Sequence, residues 1–335
     1  MTSLKLNVCY KGNRGEKMRS GIKDIVKESG YSRTTVSRAL NGSREVAENA
    51  RKKIQEIALR LGYRQNRKVI AIILPGHGGG YYWSKLLEEL QKALEISSCH
   101  FLCIRETELE LLESYPLSGA IAIIQNDNLV KYWNDHFSAP MICINTTSRH
   151  LDGIYSILSN DEQAMSALLR HLIAFGHRRI AVTAAASTDG TLPSPAHMER
   201  FKIYQDFMHT YGFPDDLLLY YNWQPETMLQ NLRTVLDRKA TAIITFVESQ
   251  AQQLICYLHE FGLKVPDDIS VCGWLTNTDL YCIPSITGAE QNFPYIAKHA
   301  VVTLNKLLNH ESVTEDIVID YNIFIRQSTG PAKEE

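Results

Sequence analysis

Apolar residues recur at helical spacing in two short stretches near the start of the chain, and polar residues separate them. In the first stretch, Ile22, Ile25 and Val26 fall on one side, which predicts a short helix with a buried face. Gly30 then supplies the backbone freedom that a tight turn needs. Ser32 follows as a good N-cap, which indicates that a second helix begins directly after it.

The second stretch, residues 33–41, places Val36, Ala39 and Leu40 on its inner face. The residues left outside are Arg33, Thr34, Ser37 and Arg38. These side chains donate hydrogen bonds of the kind that base edges and phosphates accept. Two short helices joined by a tight turn therefore predict a helix-turn-helix, whose partner is double-stranded DNA.

From Val69 onward, short apolar runs alternate with amphipathic stretches. The predicted strands are 69–74, 100–104, 119–124, 141–144, 179–183, 217–221, 242–246 and 269–273, and the predicted helices lie near 83–97, 128–137, 161–175, 198–211, 227–238 and 250–261. Continuous apolar strands between helices indicate a parallel sheet covered on both faces. Two successive sets predict two doubly wound lobes, with a ligand site in the cleft at the carboxyl ends of their strands.

Charge is unevenly distributed along the 335 residues, although the net charge is only -2. Residues 18–68 hold 13 Lys and Arg against 5 Asp and Glu, so a basic headpiece precedes an acidic body. Such an arrangement steers the headpiece toward phosphates. The seven cysteines lack paired metal-ligand spacing, and we expect no metal and no cofactor. Their odd number, with no signal peptide and no long apolar span, favours the cytoplasm and argues against a membrane partner.

Several strings resemble the LacI/GalR (lactose-repressor) family of bacterial transcription regulators. In the headpiece these are residues 22–25, 32–42 and 61–66, and in the body 176–181 and 265–271. The resemblance covers about residues 19–330 and is weakest at 76–118. It implies an all-α helix-turn-helix headpiece followed by an α/β periplasmic-binding-protein-like core of two doubly wound lobes. It also implies three crossings between the lobes, near Tyr155, near 284–288 and near Glu315.

The resemblance gives a domain plan. Residues 1–17 form a disordered arm or upstream sequence, 18–66 the DNA-binding domain, 67–69 a short linker and 70–332 the ligand-binding core. Within that core the N-lobe covers about 70–155 and 288–313, and the C-lobe about 156–285 and 316–330. In this family a short helix usually joins headpiece and core and inserts an apolar residue into the minor groove. Here only residues 66–68 connect the headpiece to the strand that begins at Val69. Three residues span about 10 Å when fully extended, so we predict that no hinge helix forms. Either the protein binds DNA without that wedge, or the gene model is damaged and operator binding is lost.

The resemblance also assigns roles to residues of the headpiece. Arg33 and Thr34 are expected to contact base edges, with Arg33 favouring a guanine. Ser37 and Arg38 contact bases or phosphate. The expected phosphate contacts are Ser32 and Asn41, with Tyr63 and Asn66 as further candidates.

The expected effector residues lie around the cleft. Arg200 stands where the family clamps hydroxyls or a carboxylate, and Asn145 stands where an acidic ligand contact often occurs. Trp223 and Phe293 either stack on a sugar or belong to the core. The remaining candidates are Tyr82 and Trp83, which follow a Gly-rich loop, and Gln291, which flanks a crossing.

Two further candidates depart from the family pattern. Glu248 lies in Val-Glu, where Asn-Asp is usual, and Trp274 follows Gly273, where two aspartates are common. Fewer carboxylates remain to accept hydrogen bonds from sugar hydroxyls. The effector is therefore a less hydroxylated sugar, a phosphorylated or acidic one, or not a sugar.

Together these features predict a ligand-responsive repressor of carbohydrate-utilisation genes that binds a palindromic operator as a homodimer, with a sugar or sugar derivative as effector. The alternative is a ligand-binding protein with a vestigial headpiece. An enzyme is not expected, because the sequence has no Gly-x-Ser-x-Gly elbow and no metal quartet. Whether the ligand releases or recruits the operator depends on its relative affinity for two states.

Overall fold

A computed structural model describes residues 21–40, 46–61, 68–76, 80–123, 127–145, 154–185, 195–221, 225–247, 250–276, 279–313 and 316–333. The chain divides into two compact units, Met1–Arg67 (the headpiece) and Lys68–Glu335 (the body). The predicted arm at residues 1–17 lies outside the described residues.

The helices are α1 (Ile22–Ser29), α2 (Arg33–Leu40), α3 (Glu48–Arg60), α4 (Tyr81–Ile96), α5 (Asp127–His136), α6 (Asp161–Ala174), α7 (Pro195–Thr210), α8 (Pro225–Asp237), α9 (Gln250–Glu260) and α10 (Phe293–Leu308), with 3-10 turns at Glu106–Ser114 and Asp279–Tyr281. The strands are β1 (Val69–Leu74), β2 (His100–Arg105), β3 (Gly119–Ala122), β4 (Met141–Ile144), β5 (Ile154–Ser159), β6 (Ile180–Ala185), β7 (Leu218–Tyr221), β8 (Ala242–Thr245), β9 (Ser270–Trp274), β10 (Thr287–Glu290), β11 (Ile317–Ile319) and β12 (Asn322–Phe324). No helix within the described ranges is both long and apolar enough to cross a membrane.

The headpiece packs α1, α2 and α3 around a small core that includes Ile25, Val36 and Ile54. Helix α1 ends at Gly30, whose φ of 75° lies in the left-handed region that glycine tolerates. Ser32 Oγ then accepts a hydrogen bond from the Thr35 amide at 3.1 Å and caps α2. The predicted helix-turn-helix is confirmed.

Lobe 1 of the body contains a fully parallel sheet in the order β11-β5-β4-β3-β1-β2. Helices α4 and α10 pack on one face, where Leu86, Leu90 and Ala300 belong to the core. Helix α5 and the 3-10 turn of residues 106–114 cover the other face. The sequence did not predict that turn, which lies in the segment where the family resemblance is weakest.

Lobe 2 contains a second sheet in the order β12-β10-β9-β8-β6-β7, parallel except for the β10–β12 pair. Helices α6 and α7 cover one face, and α8 and α9 cover the other. The predicted architecture of two doubly wound lobes is therefore confirmed.

The three crossings between lobes lie later in the chain than predicted. The first follows β5, which pairs with β4 in lobe 1 up to its end, so the position near Tyr155 is wrong. The second follows β10, which pairs with β9 of lobe 2, so 284–288 is wrong. The third follows β11, which still pairs with β5 of lobe 1, so the position near Glu315 is also too early.

The corrected lobes are 68–159 with 293–319 (lobe 1) and 161–290 with 322–333 (lobe 2). The predicted boundaries cut β5 and assigned β10 and β11 to the wrong lobes. The physical reason is that each strand completes its hydrogen-bonded ladder in its own sheet before the chain leaves. Helix α3 ends at Arg60 and β1 begins at Val69, but residues 62–67 lie outside the described part, so the missing hinge helix stays a prediction.

Candidate functional site

Helix α2 presents the polar surface that the sequence predicts. Val36 and Ala39 are fully buried in the headpiece core, which leaves Arg33, Thr34 and Arg38 exposed and Ser37 half-buried. The exposed side chains carry guanidinium and hydroxyl donors on one face of a capped helix. This geometry fits recognition of base edges and phosphates in a major groove.

Of the other four residues predicted to contact DNA, the structure describes one. Ser32 is exposed, and its hydroxyl both caps α2 and lies 2.8 Å from the Thr35 hydroxyl. Asn41, Tyr63 and Asn66 lie outside the described residues.

The carboxyl ends of both parallel sheets lead into the crossings. Strand β5 leaves lobe 1 from its carboxyl end toward α6, and β10 leaves lobe 2 from its carboxyl end toward α10. The two carboxyl edges therefore face each other across the crossings, where open α/β folds bind ligands. The predicted residues Asn145, Trp274 and Gln291 lie at strand ends on these edges.

Three predicted effector residues of this region hydrogen-bond one another. The Asn145 amide nitrogen donates to Tyr82 Oη and to Gln291 Oε1, each at 2.9 Å. The Asn145 oxygen accepts from the Ser159 amide at 2.8 Å, and the Ser159 hydroxyl donates to Gln291 Oε1 at 3.0 Å. The network joins the end of β4, the start of α4 and the first two crossings.

The aromatic candidates of lobe 1 form a single cluster beside this network. The ring centroids of Tyr82 and Trp83 are 4.6 Å apart, and those of Tyr82 and Phe293 are 5.9 Å apart. Tyr81 also meets Phe293 edge to face, at 5.9 Å. Phe293 is only 2% exposed, so it belongs to the core, while Tyr82 and Trp83 are partly exposed.

Arg200 lies on α7 in lobe 2 and is almost completely buried. Its Nε lies 3.1 Å from Asp161 Oδ1, and its Nη1 donates to the Phe246 carbonyl at 2.7 Å. Its Nη2 lies 3.3 Å from the Tyr321 hydroxyl, and the guanidinium carbon is 4.3 Å from the Trp274 ring centroid. Arg200 is thus held by a carboxylate, a carbonyl, a hydroxyl and an aromatic face.

Trp274 packs against the Arg200 guanidinium and is 1% exposed. Its ring meets Phe246 and Tyr321 edge to face, at 5.8 and 5.9 Å. A residue that replaces the family's aspartates therefore supplies a π-face to a cation instead of hydrogen-bond acceptors. The candidates Trp223 and Glu248 lie outside the described residues.

Sequence reasoning missed Asp161, Tyr321 and Glu290. The Tyr321 hydroxyl donates to Asp161 Oδ1 at 2.7 Å, and burial raises the pKa of Tyr321 well above its ordinary value, with further effects from Asp161 and Arg200. Burial also raises the pKa of Glu290, against the opposing influence of Arg326 and a hydrogen bond with Tyr81. These residues belong to no motif. The only signal in the sequence that could have identified them is the polar character of the segments around the crossings.

A cavity of about 540 Å³ lies elsewhere, at the amino edge of the lobe 1 sheet, between residues 113–117 and 135–139. None of the predicted effector residues lines it, and it is open to solvent. Within the described ranges, no group of three or more His, Cys, Asp or Glu is placed to hold a metal ion.

Known protein families match both the headpiece and part of the body. Residues 21–66 match the family model "Bacterial regulatory proteins, lacI family", and residues 169–329 match "Periplasmic binding protein-like domain". Catabolite control protein A of Priestia megaterium is 25% identical over 338 residues, which cover 93% of this chain and 100% of that protein. The transcriptional repressor PurR of Actinobacillus pleuropneumoniae is 25% identical over 277 residues, covering 76% of this chain and 80% of PurR.

Solved structures share the fold. The lac repressor dimer bound to operator and the anti-inducer ONPF aligns with a TM-score of 0.70 at 18% identity, covering 93% of this chain and 99% of that one. The complex of the regulator CelR with cellobiose aligns with a TM-score of 0.66 at 20% identity, covering 92% and 100%. The relatives are regulators, which confirms the prediction that the chain is not an enzyme. The chain thus joins a DNA-binding unit of the lacI family of bacterial regulatory proteins, residues 21–66, to a periplasmic-binding-protein-like domain, residues 169–329.

Proposed function

We propose that the protein is a cytoplasmic, ligand-responsive transcriptional repressor of carbohydrate-utilisation genes that binds a palindromic operator as a homodimer. The observation that carries this proposal is the capped helix α2, which exposes Arg33, Thr34 and Arg38, in a chain whose body is a two-lobed ligand-binding fold. A DNA reader and a ligand sensor in one chain are the two parts that such a repressor needs.

The DNA-reading step uses α2 in the major groove. Arg33, at its first turn, suits bidentate hydrogen bonding to the O6 and N7 atoms of a guanine, and Thr34 lies next to it. Ser37 and Arg38, one turn later, suit contacts with bases or phosphates. A dimer places two such helices on half-sites about one helical turn of DNA apart, which explains why a palindrome is expected.

The effector-binding step uses the two carboxyl edges. Tyr82 and Trp83 supply partly exposed rings on lobe 1, and Arg200 supplies a cation on lobe 2. Aromatic faces and a guanidinium are groups that suit a sugar or sugar derivative, and CelR, which has the same fold, has been solved in complex with cellobiose. The effector acts as inducer or co-repressor according to which lobe arrangement it binds more tightly.

We infer that the linker between headpiece and body is too short for a hinge helix. Helix α3 ends at Arg60 and β1 begins at Val69, so the eight residues 61–68 must provide both the end of the headpiece and the whole linker. We expect operator bending to be weak, and Arg67 and Lys68 to contact phosphates at most.

The test is a selection of binding sites from random DNA, followed by mobility-shift assays with the full chain and with a variant of family-typical linker length. A palindromic consensus bound by the unmodified chain is the expected result. Enrichment of no palindrome by the unmodified chain would overturn specific repression. Recovery of binding only in the longer variant would instead indicate a damaged linker. The alternative of a vestigial headpiece predicts no sequence preference in either protein.

A further inference from the structure

The carboxylate of Asp161 forms an ion pair with the guanidinium of Arg200, the cation that the sequence predicts on the lobe 2 side of the effector site. We propose that Asp161 is an internal competitor for the effector, and that an oxyanion group of the effector, a carboxylate or a phosphate, replaces Asp161 on Arg200. This inference rests on the proposed function and narrows its effector class to acidic or phosphorylated ligands.

The contacts of Arg200 favour an oxyanion over a neutral hydroxyl. The Phe246 carbonyl and the Trp274 ring both hold the guanidinium in place, and the Asp161 carboxylate places a negative charge beside it. A buried guanidinium needs an anionic partner, since removal of its charge partner is costly in a low-dielectric site. A ligand that displaces Asp161 must therefore bring a negative charge of its own.

Asp161 lies where it can leave Arg200 when an oxyanion arrives. Asp161 is the first residue of α6, directly after the first crossing, and its side chain is 20% exposed whereas that of Arg200 is 8% exposed. The less buried partner can turn toward solvent while Arg200 stays in place.

Tyr321 links the same pair to the third crossing. Its hydroxyl donates to Asp161 Oδ1 at 2.7 Å and lies 3.3 Å from Arg200 Nη2. Its backbone amide also donates to Gln163 Oε1 at 3.1 Å, on the helix that begins with Asp161. Displacement of Asp161 therefore removes a bond between the first and third crossings, the segments that connect the two lobes. Effector binding and lobe closure are coupled through one carboxylate.

The experiment removes the competitor and measures oxyanion binding by the full chain. Asp161→Asn keeps the shape of the side chain but loses its charge, and Asp161→Asn combined with Arg200→Gln removes the site. Asp216→Asn is the matched control, because Asp216 forms an exposed ion pair of the same 3.1 Å length with Arg238 on lobe 2. Thermal unfolding and tryptophan fluorescence are followed during titration with sodium phosphate, sodium citrate and sodium chloride at constant ionic strength.

We expect Asp161→Asn to bind phosphate or citrate at least about tenfold more tightly than wild type, the equivalent of one charge-assisted hydrogen bond. Asp216→Asn should match wild type, and the double variant should lose the response. The phosphate and citrate arms distinguish a phosphate-bearing effector from a carboxylate-bearing one. The inference is overturned if Asp161→Asn responds no better than Asp216→Asn, or if the double variant responds equally.

A second variant and a measurement of operator binding complete the experiment. Tyr321→Phe is the substitute if Asp161→Asn does not fold. It removes the hydroxyl that donates to Asp161 but keeps both charges, so it should tighten oxyanion binding to a smaller extent than Asp161→Asn. Operator retention is measured on the same proteins. Lost oxyanion response with retained operator binding overturns this inference alone, whereas absence of operator binding in every protein overturns the proposed function and leaves the competition between Asp161 and oxyanions standing.

Discussion

The side-chain amide nitrogen of Asn145 lies 2.9 Å from Oε1 of Gln291, although 146 positions separate the two residues in the chain. The same nitrogen donates to Tyr82 Oη, and the Asn145 oxygen accepts from the Ser159 amide. Asn145 has a φ of 53°, in the left-handed region that asparagine adopts more readily than most other residues. Backbone and side chain of one residue thus fix the end of β4 against two crossings.

Replacement of Asn145 should lower the free energy of unfolding by an amount that depends on the new backbone preference. Asn145→Gly loses the hydrogen bonds but tolerates the positive φ, whereas Asn145→Ala loses the bonds and adds strain. We expect a loss of about 3 kcal/mol for glycine, the worth of three hydrogen bonds at about 1 kcal/mol each, and about 1 kcal/mol more for alanine. Urea unfolding followed by circular dichroism measures both. Equal losses would show that the backbone relaxes, and no loss in either variant would show that the network contributes nothing to stability.

Stability should fall below neutral pH because of His177, which is buried in lobe 2. Its Nε2 lies 2.9 Å from the Gly330 carbonyl, which can only accept, and its Nδ1 lies 2.9 Å from the Thr241 hydroxyl. Burial lowers the pKa of His177 below its ordinary value of 6.5, with smaller effects from Gly330 and neighbouring cations. The unfolded chain therefore takes up a proton at a higher pH than the folded chain does. The stabilisation is complete above about pH 6.5 and is lost as pH falls toward the folded pKa, by up to about 1.4 kcal/mol per pH unit.

Urea midpoints between about pH 7.5 and 5 measure this dependence, over the window that the histidine pKa defines. His177→Gln should be less stable at neutral pH but should lose part of the slope. His259→Gln is the control, because it removes a histidine that is exposed on α9 and not buried. His171, whose pKa burial also lowers, adds to the same trend. A slope that survives in His177→Gln would assign the pH dependence to other groups.

Lobe 2 should not tolerate a side chain at Gly288. This residue pairs with Gly273 across β9 and β10, and a Cβ added to it would lie 2.0 Å from the Gly273 carbonyl oxygen. Because the obstacle is backbone, Gly288→Ala should cost about 3 kcal/mol or more, the upper end for overpacking. Gly119→Ala is the matched variant in lobe 1, where the nearest atom, at 2.9 Å, is a Leu304 methyl that can rotate, and the nearest backbone atom, the Pro140 carbonyl oxygen, lies farther away at 3.1 Å. Thermal unfolding should show a clearly smaller loss for Gly119→Ala, and equal losses would contradict the backbone argument.

Much of the fold was predictable because apolar periodicity is a local property of the sequence. The predicted strand 141–144 agrees with β4 at both ends, and the helix predicted at 250–261 agrees with α9 to one residue. The crossings were predicted too early because nothing local marks them. They are short polar segments whose positions depend on where a ladder ends in a distant sheet.

The sequence predicted the candidate site as a set of residues and not as a network of contacts. The sequence placed Tyr82, Asn145 and Gln291 at the cleft, but their mutual hydrogen bonds depend on crossings that bring distant segments together. The partner of Arg200 was missed for the same reason, since Asp161 lies in no motif and Tyr321 is 160 residues away from it. Long-range electrostatic pairing leaves no periodic trace in a sequence.

Arg33 provides the sharpest test of DNA reading. It is exposed at the start of α2, directly after the Ser32 cap, where a recognition helix meets base edges. Arg33→Ala should weaken binding to the selected operator by about 1–3 kcal/mol, the discrimination of one bidentate guanine contact. Arg33→Lys keeps the charge but loses the planar fork, so it should lose most of the specificity while keeping affinity for unrelated DNA. Mobility shifts over a salt series, with operator and scrambled DNA, separate the two effects. Equal losses on both DNAs would place Arg33 on phosphates and leave base reading to Thr34, Ser37 and Arg38.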